Sequence, residues 1–303
     1  MKQTSIYRLI LPVMALLLGV SCSDWTETEN IESTVLKPWE QDPALWADYT
    51  AALRAYKASA HYLSYVRLHN SPSPASSEQD FMRCLPDSLD IVALTNADNF
   101  SAYDTEDMAT MREKGTRVLY QVDYAARKAE FSGEAALKTY LDGVIAAVKA
   151  NGMGGYSFTA DPLDAAATAA IVATLSAAKG DGQLLVLEGN PLLVSEADRA
   201  KLDYVVLDTE KAENTTEVRL QVLNATTYAG IAADRLLLAA EVDAPLQDAD
   251  RTEYAAVEAM ARCVVEFGPL AGFAAYNIAG DYYHAEMNYQ TIRTAIQTLN
   301  PSK

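Results

Sequence analysis

The sequence predicts an α/β protein that folds as a single (β/α)8 TIM barrel. Short apolar stretches alternate with amphipathic helical stretches eight times, over the roughly 240 residues that a closed barrel needs. In addition, the first strand is not followed by the Gly-rich turn that a dinucleotide-binding sheet would carry. An open doubly wound sheet is the alternative that the same alternation permits. The count of eight and the near-even spacing favour the barrel.

The first 21 residues have the pattern of a secretory signal peptide. Lys2 and Arg8 precede an apolar run over 9–20, which is too short to span a membrane, and small residues lead to Cys22. A cysteine at this place resembles the lipobox of bacterial lipoproteins, in which the thiol is lipidated after cleavage. Ordinary signal-peptidase cleavage next to an incidental cysteine is the alternative. The acidic stretch after Cys22 resembles the export tags of surface lipoproteins in the Bacteroidetes, so we expect an outer-membrane, cell-surface location.

The net charge of −17 excludes some classes of partner. Loss of the signal peptide removes Lys2 and Arg8, which takes the net charge from −17 to −19. Such an acidic chain is repelled by phosphate backbones, so we expect no nucleic-acid partner. Cys84 and Cys263 allow one disulfide, but two unpaired thiols are favoured. The three histidines lack metal-ligand spacing, and we expect neither a metal nor a cofactor.

The mature chain divides into a lipidated, flexible tether at 22–41 and a barrel domain at 42–303. The tether is polar, acidic and aperiodic. A helix is expected to begin with Asp42 as N-cap and Pro43 in the first turn. Apolar residues from Leu45 to Tyr56 recur at helical spacing in this helix, which predicts one buried stripe.

The strands and helices follow from the two hydrophobic periods. The predicted strands are 62–68, 90–95, 117–123, 155–160, 183–188, 203–208, 235–242 and 270–277. The predicted helices include 133–152, 162–180, 215–230 and 252–268.

Polar side chains cluster where these strands end. In a TIM barrel the functional site lies at the carboxyl-terminal ends of the strands. Amides, carboxylates and tyrosines around one mouth suit a neutral polyhydroxyl ligand, above all a sugar, although strand ends are commonly polar because the chain leaves the core there. The predicted ligand-binding residues are Gln121, Asp123, Ser157, Thr159, Asp161, Glu188, Asn190, Asp208, Tyr276 and Asn277. Of these we expect Tyr276, as an aromatic floor, and Asn277 to contribute most.

The fourth strand carries the most informative motif, GMGGYSFTADP at 152–162. It resembles the fourth-strand signature D-G-x-D-x-D-x-E of glycoside hydrolase family 18, the chitinases and endo-β-N-acetylglucosaminidases. Gly155 keeps the signature glycine, but Gly154, Ser157 and Thr159 replace the three aspartates, and Asp161 replaces the glutamate. The first helix and strand, and the eighth strand with the closing helix 289–301, resemble the lipoprotein branch of this family in the Bacteroidetes.

The resemblance implies a barrel whose family chemistry has been removed. In that family the glutamate protonates the leaving oxygen, and the preceding aspartate stabilises the substrate's acetamido group. Thr159 has no charge to offer, and Asp161 is one methylene shorter than glutamate. We therefore expect family-type hydrolysis to be lower by at least about 10⁴-fold.

Three functional hypotheses remain open. The first is a non-catalytic surface lipoprotein that binds glycans containing N-acetylhexosamine, alone or within a glycan-uptake complex, with Cys22 holding it to the membrane. The second is an active glycosidase that uses other acids, for which Glu188, Asp208, Glu210 and Glu241 are available. The third is a structural role without a glycan.

Overall fold

The computed structural model describes residues 36–71, 74 and 76–301. The predictions on the signal peptide, on Cys22 and on the tether up to residue 35 lie outside these residues. The chain divides into two compact units, and the described part of the first comprises residues 36–46. It contains the short helix α1, Pro38–Gln41, within the predicted tether, and the beginning of α2, Pro43–Ala58. The second unit, from Ala47 onward, contains the barrel.

Eight parallel strands close into a barrel in the order β1-β10-β7-β6-β5-β4-β3-β2, as the sequence predicts. The barrel strands are β1 Leu63–Leu68, β2 Ile91–Leu94, β3 Arg117–Val122, β4 Gly155–Thr159, β5 Leu184–Glu188, β6 Tyr204–Leu207, β7 Leu236–Glu241 and β10 Gly272–Tyr276. Each predicted strand contains one of these, with ends that differ by no more than two residues.

The strands alternate between two apolar environments. Tyr156 and Phe158 on β4 pack outward into the large core between the barrel and its helices, whereas Ser157 and Thr159 are on the opposite, inward phase. The close approach of β4 to β5 requires Gly155, because a Cβ there would lie 2.1 Å from the carbonyl oxygen of Leu184, and its φ is +131°. On β4 the sequence thus places polar side chains inside the barrel and aromatic bulk outside it.

Helices cover the outside of the barrel. They are α3 Ala102–Glu113, α4 Tyr124–Arg127, α5 Glu134–Asn151, α6 Ala165–Ala178, α7 Glu196–Arg199, α8 Thr215–Leu223, α9 Ala256–Glu266 and α10 Gln290–Leu299. Four predicted helices are confirmed by α5, α6, α8 and α9. Within the part of the chain that the structure describes, no helix is both long and apolar enough to cross a membrane.

Two details differ from the sequence-based expectation. The segment 253–255, predicted as the start of a helix, is strand β9, Glu253–Ala255, which pairs antiparallel with β8, Pro245–Gln247. The predicted buried stripe on α2 is also wrong, although the helix begins at Pro43 and Asp42 caps it as expected. Leu45 is 65% exposed and Tyr49 42% exposed. Helical spacing identifies a face of a helix, but it does not say that another element covers that face.

Candidate functional site

A buried carboxylate, Glu188, occupies the barrel interior at the end of β5. The hydroxyl of Tyr65 and the amide of Gln121 donate to its Oε1 at 2.8 Å and 2.9 Å. Nε of Arg67 and the hydroxyl of Tyr276 donate to its Oε2 at 2.5 Å and 3.1 Å. The side chain of Glu188 has no exposed surface. Donors from β1, β3 and β10 therefore satisfy both carboxylate oxygens, as a buried charge requires.

Arg67 keeps Glu188 ionised. Burial favours the protonated acid, but the positive charge of Arg67 and the hydrogen bonds to the carboxylate outweigh it, so the pKa of Glu188 is lowered. The pKa of Arg67 is raised, because the charge of Glu188 outweighs the desolvation of the guanidinium. A buried carboxyl group with a lowered pKa has no proton to give at neutral pH and cannot act as a general acid on a bound ligand.

Tyr276 is less open than a sugar-binding floor would be. The guanidinium carbon of Arg67 lies 3.7 Å from the centroid of its ring, so that Arg67 covers one face. The tyrosine is only 5% exposed. Tyr276 lines the pocket at the mouth, but its ring packs against the chain's own arginine.

The polar positions of β4 continue this lining to the rim. Ser157 is fully buried beside Glu188 and Tyr65, and its Oγ forms no well-aligned hydrogen bond with either. Thr159 donates from Oγ1 to Oδ1 of Asp123 at 2.8 Å. Neither side chain carries a charge, so the inner part of the signature strand supplies only hydroxyl groups.

Asp161, which the sequence resemblance aligns with the glutamate of the signature, is held in an ion pair. Nζ of Lys128 lies 2.9 Å from its Oδ2, and the backbone N–H of Leu163 donates to its Oδ1 at 2.8 Å. The hydrogen bond from Lys128 is the main reason why the pKa of Asp161 is lowered. A carboxyl group with a lowered pKa is unprotonated at neutral pH and has no proton to give to a leaving group.

The sequence analysis did not identify Lys128 as a site residue. It lies 33 positions before Asp161, directly after α4, and it also contacts Asp164 at 3.2 Å. No local spacing or motif marks it. Only the neighbouring positions of β3 and β4 in the barrel could have suggested it, because adjacent parallel strands bring their following loops together.

A pocket of about 290 Å³ opens at the mouth beside this buried cluster. Arg67, His69, Glu210, Tyr276 and Asn277 are among its lining residues. Oε2 of Glu210 is buried and has no hydrogen-bond partner within the described residues, and burial raises the pKa of this carboxyl group. Glu210 is therefore the carboxyl group of the mouth that is most suited to carry a proton.

The remaining predicted residues lie around the rim in structural roles. Asp123 caps α4 by accepting from the N–H of Ala126 at 3.2 Å, and Asn190 accepts from the N–H of Leu192 at 2.9 Å. Asn277 is exposed and donates to Asp243 at 3.2 Å. Asp208 is partly exposed and close enough to Glu210 to raise its pKa. The predicted set thus separates into a closed inner cluster with Gln121, Glu188 and Tyr276, and an outer rim.

Cys84 and Cys263 are both free thiols. Within the residues that the structure describes, no group of three or more His, Cys, Asp or Glu side chains is arranged to hold a metal ion. The inner cluster is held together by its own charges and hydrogen bonds.

The closed eight-stranded barrel defines the chain as a TIM-barrel protein. Comparison with known proteins shows which family and which solved structures it is similar to. Residues 26–146 match the family described as "Glycoside hydrolase family 18, BT1044-like". The matched segment ends before β4. The similarity to this family thus covers residues 26–146 of the chain. No curated protein matches it in sequence.

Solved structures share its fold at low sequence identity. A selenomethionine form of a Glu-to-Gln variant of BT1044 has a TM-score of 0.71 at 16% identity, over 88% of this chain and 96% of that one. An endo-β-N-acetylglucosaminidase from Cordyceps militaris has a TM-score of 0.61 at 14% identity, over 84% and 96%. YKL-39, solved in the presence of the chitooligosaccharide GlcNAc4, has a TM-score of 0.62 at 9% identity, over 80% and 100%.

Proposed function

We propose that this protein binds a glycan containing N-acetylhexosamine at the carboxyl-terminal mouth of the barrel and does not hydrolyse it. The observation that carries the proposal is the ion pair between Asp161 and Lys128. By the sequence resemblance, Asp161 corresponds to the residue that family 18 chemistry needs as a protonated acid, and its ion pair with Lys128 supports an ionised carboxylate instead. Thr159 also lacks the charge that would stabilise an acetamido group. A barrel without this chemistry retains a polar mouth that suits capture.

The pocket at the mouth supports binding of about one sugar ring. Its volume of about 290 Å³ lies at the lower end of the range for small-molecule sites. The edge of Tyr276 supplies apolar surface, while Asn277 and Glu210 supply hydrogen-bonding groups. The class of sugar comes from the fold neighbours, which include an endo-β-N-acetylglucosaminidase and a protein solved with GlcNAc4.

The same proposal includes an anchor at the cell surface. Cys22 would carry the lipid, and the protein would present its barrel on the outer membrane, alone or within a glycan-uptake complex. Cys22→Ala should prevent lipid attachment and shift the protein from the membrane to the soluble fraction, since stable anchoring needs more than one acyl chain. Unchanged fractionation and processing of the Cys22→Ala precursor would contradict the anchor.

The decisive experiment compares binding and hydrolysis on the same glycans. The chain without residues 1–22 would be applied to a glycan array, and the best ligand would be titrated by calorimetry and incubated for product release. We expect saturable binding without product. Hydrolysis that survives Asp161→Ala would contradict the non-catalytic function, and an absence of both binding and hydrolysis would favour a structural role.

Glu210 supports a second candidate function, hydrolysis with a different acid. Its carboxyl group lines the mouth pocket, has a raised pKa and has a buried oxygen without a partner among the described residues. These are properties of a general acid. If the protein releases sugar, Glu210→Gln should abolish the release while Asp161→Asn leaves it intact. Loss of release in Asp161→Asn alone would instead assign the acid to β4.

A further inference from the structure

A second polar pocket lies at the opposite end of the barrel, where the strands begin. Its volume is about 250 Å³, and it is bounded by the last turn of α2 and the starts of β3 and β6. Arg54, Lys57 and Arg117 line it together with Tyr204. It shares Lys57 and Tyr204 with a neighbouring cavity of about 1100 Å³ beneath the barrel.

The three cations of this pocket form no direct ion pair with a carboxylate of the described residues. Lys57 donates to the hydroxyl of Thr116 at 2.7 Å, and Arg54 donates to the carbonyl oxygen of Glu113 at 2.5 Å. Both partners are uncharged groups. Arg117 forms no ion pair with any described residue, and it is close enough to Tyr204 to lower the pKa of that hydroxyl against the effect of burial.

Asp90 is the one carboxylate among the described residues that line the pocket, and its oxygens already have partners. Oδ1 pairs with Nε2 of His61 at 2.9 Å, and Oδ2 accepts from the backbone and the hydroxyl of Ser64, both at 2.9 Å. The described lining carries three cations against this one carboxylate, so its charge is positive in a chain whose net charge is −17. Such an excess of positive charge favours an anion.

We propose that this pocket at the amino-terminal end of the barrel binds a small, multiply charged oxyanion such as sulfate or phosphate. The guanidinium groups of Arg54 and Arg117 provide several N–H donors, Lys57 provides a point charge, and the hydroxyl of Tyr204 provides one further donor. Tyr204 forms no hydrogen bond with a described residue, and its pKa is raised mainly by burial, so it stays a donor. This site is separate from the mouth and does not depend on the proposed glycan binding.

The charge state of Lys57 gives the site a pH dependence. Burial lowers the pKa of Lys57 to about 8, although Asp90 and Asp87 raise it and Lys114 lowers it further. The protonated amine attracts the anion, so affinity should fall as the pH rises through about 8, and a bound anion should raise this pKa. The arginines stay charged in this range. His61, if it loses its proton over the same range, changes the affinity in the same direction.

The test is calorimetric titration of the protein with sodium sulfate at constant ionic strength, with sodium chloride as the reference. Sulfate keeps its charge between pH 6 and 9, so its own titration does not interfere. Arg117→Gln and Lys57→Gln should each weaken sulfate binding by about fivefold, the upper end for a partly exposed charge pair. The decrease in affinity above pH 8 should be smaller in Lys57→Gln than in the parent.

Arg219→Gln is the matched control, because Arg219 is an exposed arginine on α8 without an ion pair to a described residue. It should bind sulfate as the parent does. The proposal is overturned if the parent shows no sulfate binding at millimolar concentration. It is also overturned if Arg117→Gln and Arg219→Gln bind sulfate equally well while circular dichroism shows that both are folded.

Discussion

Arg67 lies with its guanidinium 3.7 Å from the ring centroid of Tyr276, and from this position its Nε reaches Glu188 at 2.5 Å. Arg67 thus covers one face of the Tyr276 ring at the barrel mouth and also neutralises the buried charge of Glu188. The inner mouth is therefore a closed cluster in which the charges and hydrogen-bonding groups around Glu188 are paired with one another. Ligands must meet the rim and the pocket beside it.

The first prediction concerns the stability that this cluster provides. Arg67→Met removes the positive partner and leaves Glu188 as an unpaired buried charge, which should destabilise the protein by about 3 kcal/mol. The double variant Arg67→Met/Glu188→Gln should be less destabilised than the sum of its two single variants, because it leaves no buried charge unpaired. Urea unfolding followed by circular dichroism measures both effects.

An exposed ion pair provides the control for this prediction. Lys138 and Asp142 pair at 2.6 Å on α5, with 72% and 55% of their side-chain surfaces exposed. Lys138→Met should change the free energy of unfolding by no more than about 0.5 kcal/mol. A change in Arg67→Met as small as the one in Lys138→Met would show that the buried pair is not a major source of stability.

The second prediction is a pH dependence that comes from His61 and Asp90. Nε2 of His61 lies 2.9 Å from Oδ1 of Asp90, and its Nδ1 faces the carbonyl oxygen of Ser59 at 2.8 Å. Because both neighbours are acceptors, the imidazolium is favoured. The pKa of His61 is raised, chiefly by the hydrogen bond with Asp90 and against the effect of burial.

A raised pKa in the folded state stabilises the protein only while the histidine is protonated. The contribution is therefore complete below the unfolded pKa of about 6.5 and is lost as the pH rises through the higher, folded pKa. His61→Gln should be most destabilised relative to the parent near pH 5.5, and the difference should shrink towards pH 7.5. The measurements end at pH 7.5 because Lys57, with a pKa of about 8, titrates at higher pH. A difference that grows with pH would contradict the assignment.

The sequence predicted the architecture well because the signals for strands and helices are local. Alternation within five or six residues was enough to place β4, and Ser157 and Thr159 do share the inward phase. The hairpin of β8 and β9 was missed because three-residue strands are too short to show a period. The exposure of Leu45 was missed because burial depends on what packs against a face.

The site was predicted only as a set of polar strand ends. Gln121, Glu188 and Tyr276 lie up to 155 residues apart in the chain. Only the closed barrel shows that Gln121 and Tyr276 both donate hydrogen bonds to Glu188. Lys128 carries no motif, yet its charge decides the protonation state of Asp161. Charge pairing across a barrel depends on three-dimensional register, which a single sequence does not display.

The third prediction uses Lys128 to explain why restoring the signature is not enough. Thr159→Asp with Asp161→Glu recreates the two acidic residues of the family, but Lys128 would still hold the new glutamate ionised. We expect little or no release of sugar from chitooligosaccharides by this double variant. Adding Lys128→Met should raise the release, because a general acid that can hold its proton contributes about 10²–10⁴-fold.

Lys138→Met in the same double variant is the control, since it removes an exposed lysine that is remote from β4. Product formation is measured by mass spectrometry at pH 5 to 7. Equal activity with and without Lys128 would show that its ion pair does not limit the chemistry. Turnover by the unmodified protein at comparable rates would contradict the proposed non-catalytic function.

The last prediction separates the two residues that the sequence favoured for glycan binding. Asn277 is exposed at the end of β10 and lines the mouth pocket, so Asn277→Ala removes an amide from the site without disturbing the core. We expect the affinity for the array-selected glycan to fall by roughly 5- to 10-fold, the effect of one lost hydrogen bond of about 1 kcal/mol or slightly more.

Tyr276→Phe instead removes a donor to Glu188 and keeps the ring. It should therefore lower the stability of the protein while leaving glycan affinity within about twofold. Calorimetric titration and urea unfolding of both variants distinguish the two roles. If Asn277→Ala binds as tightly as the parent while Tyr276→Phe loses binding, the ligand contacts the inner cluster, and the glycan site lies deeper in the barrel than the pocket at its mouth.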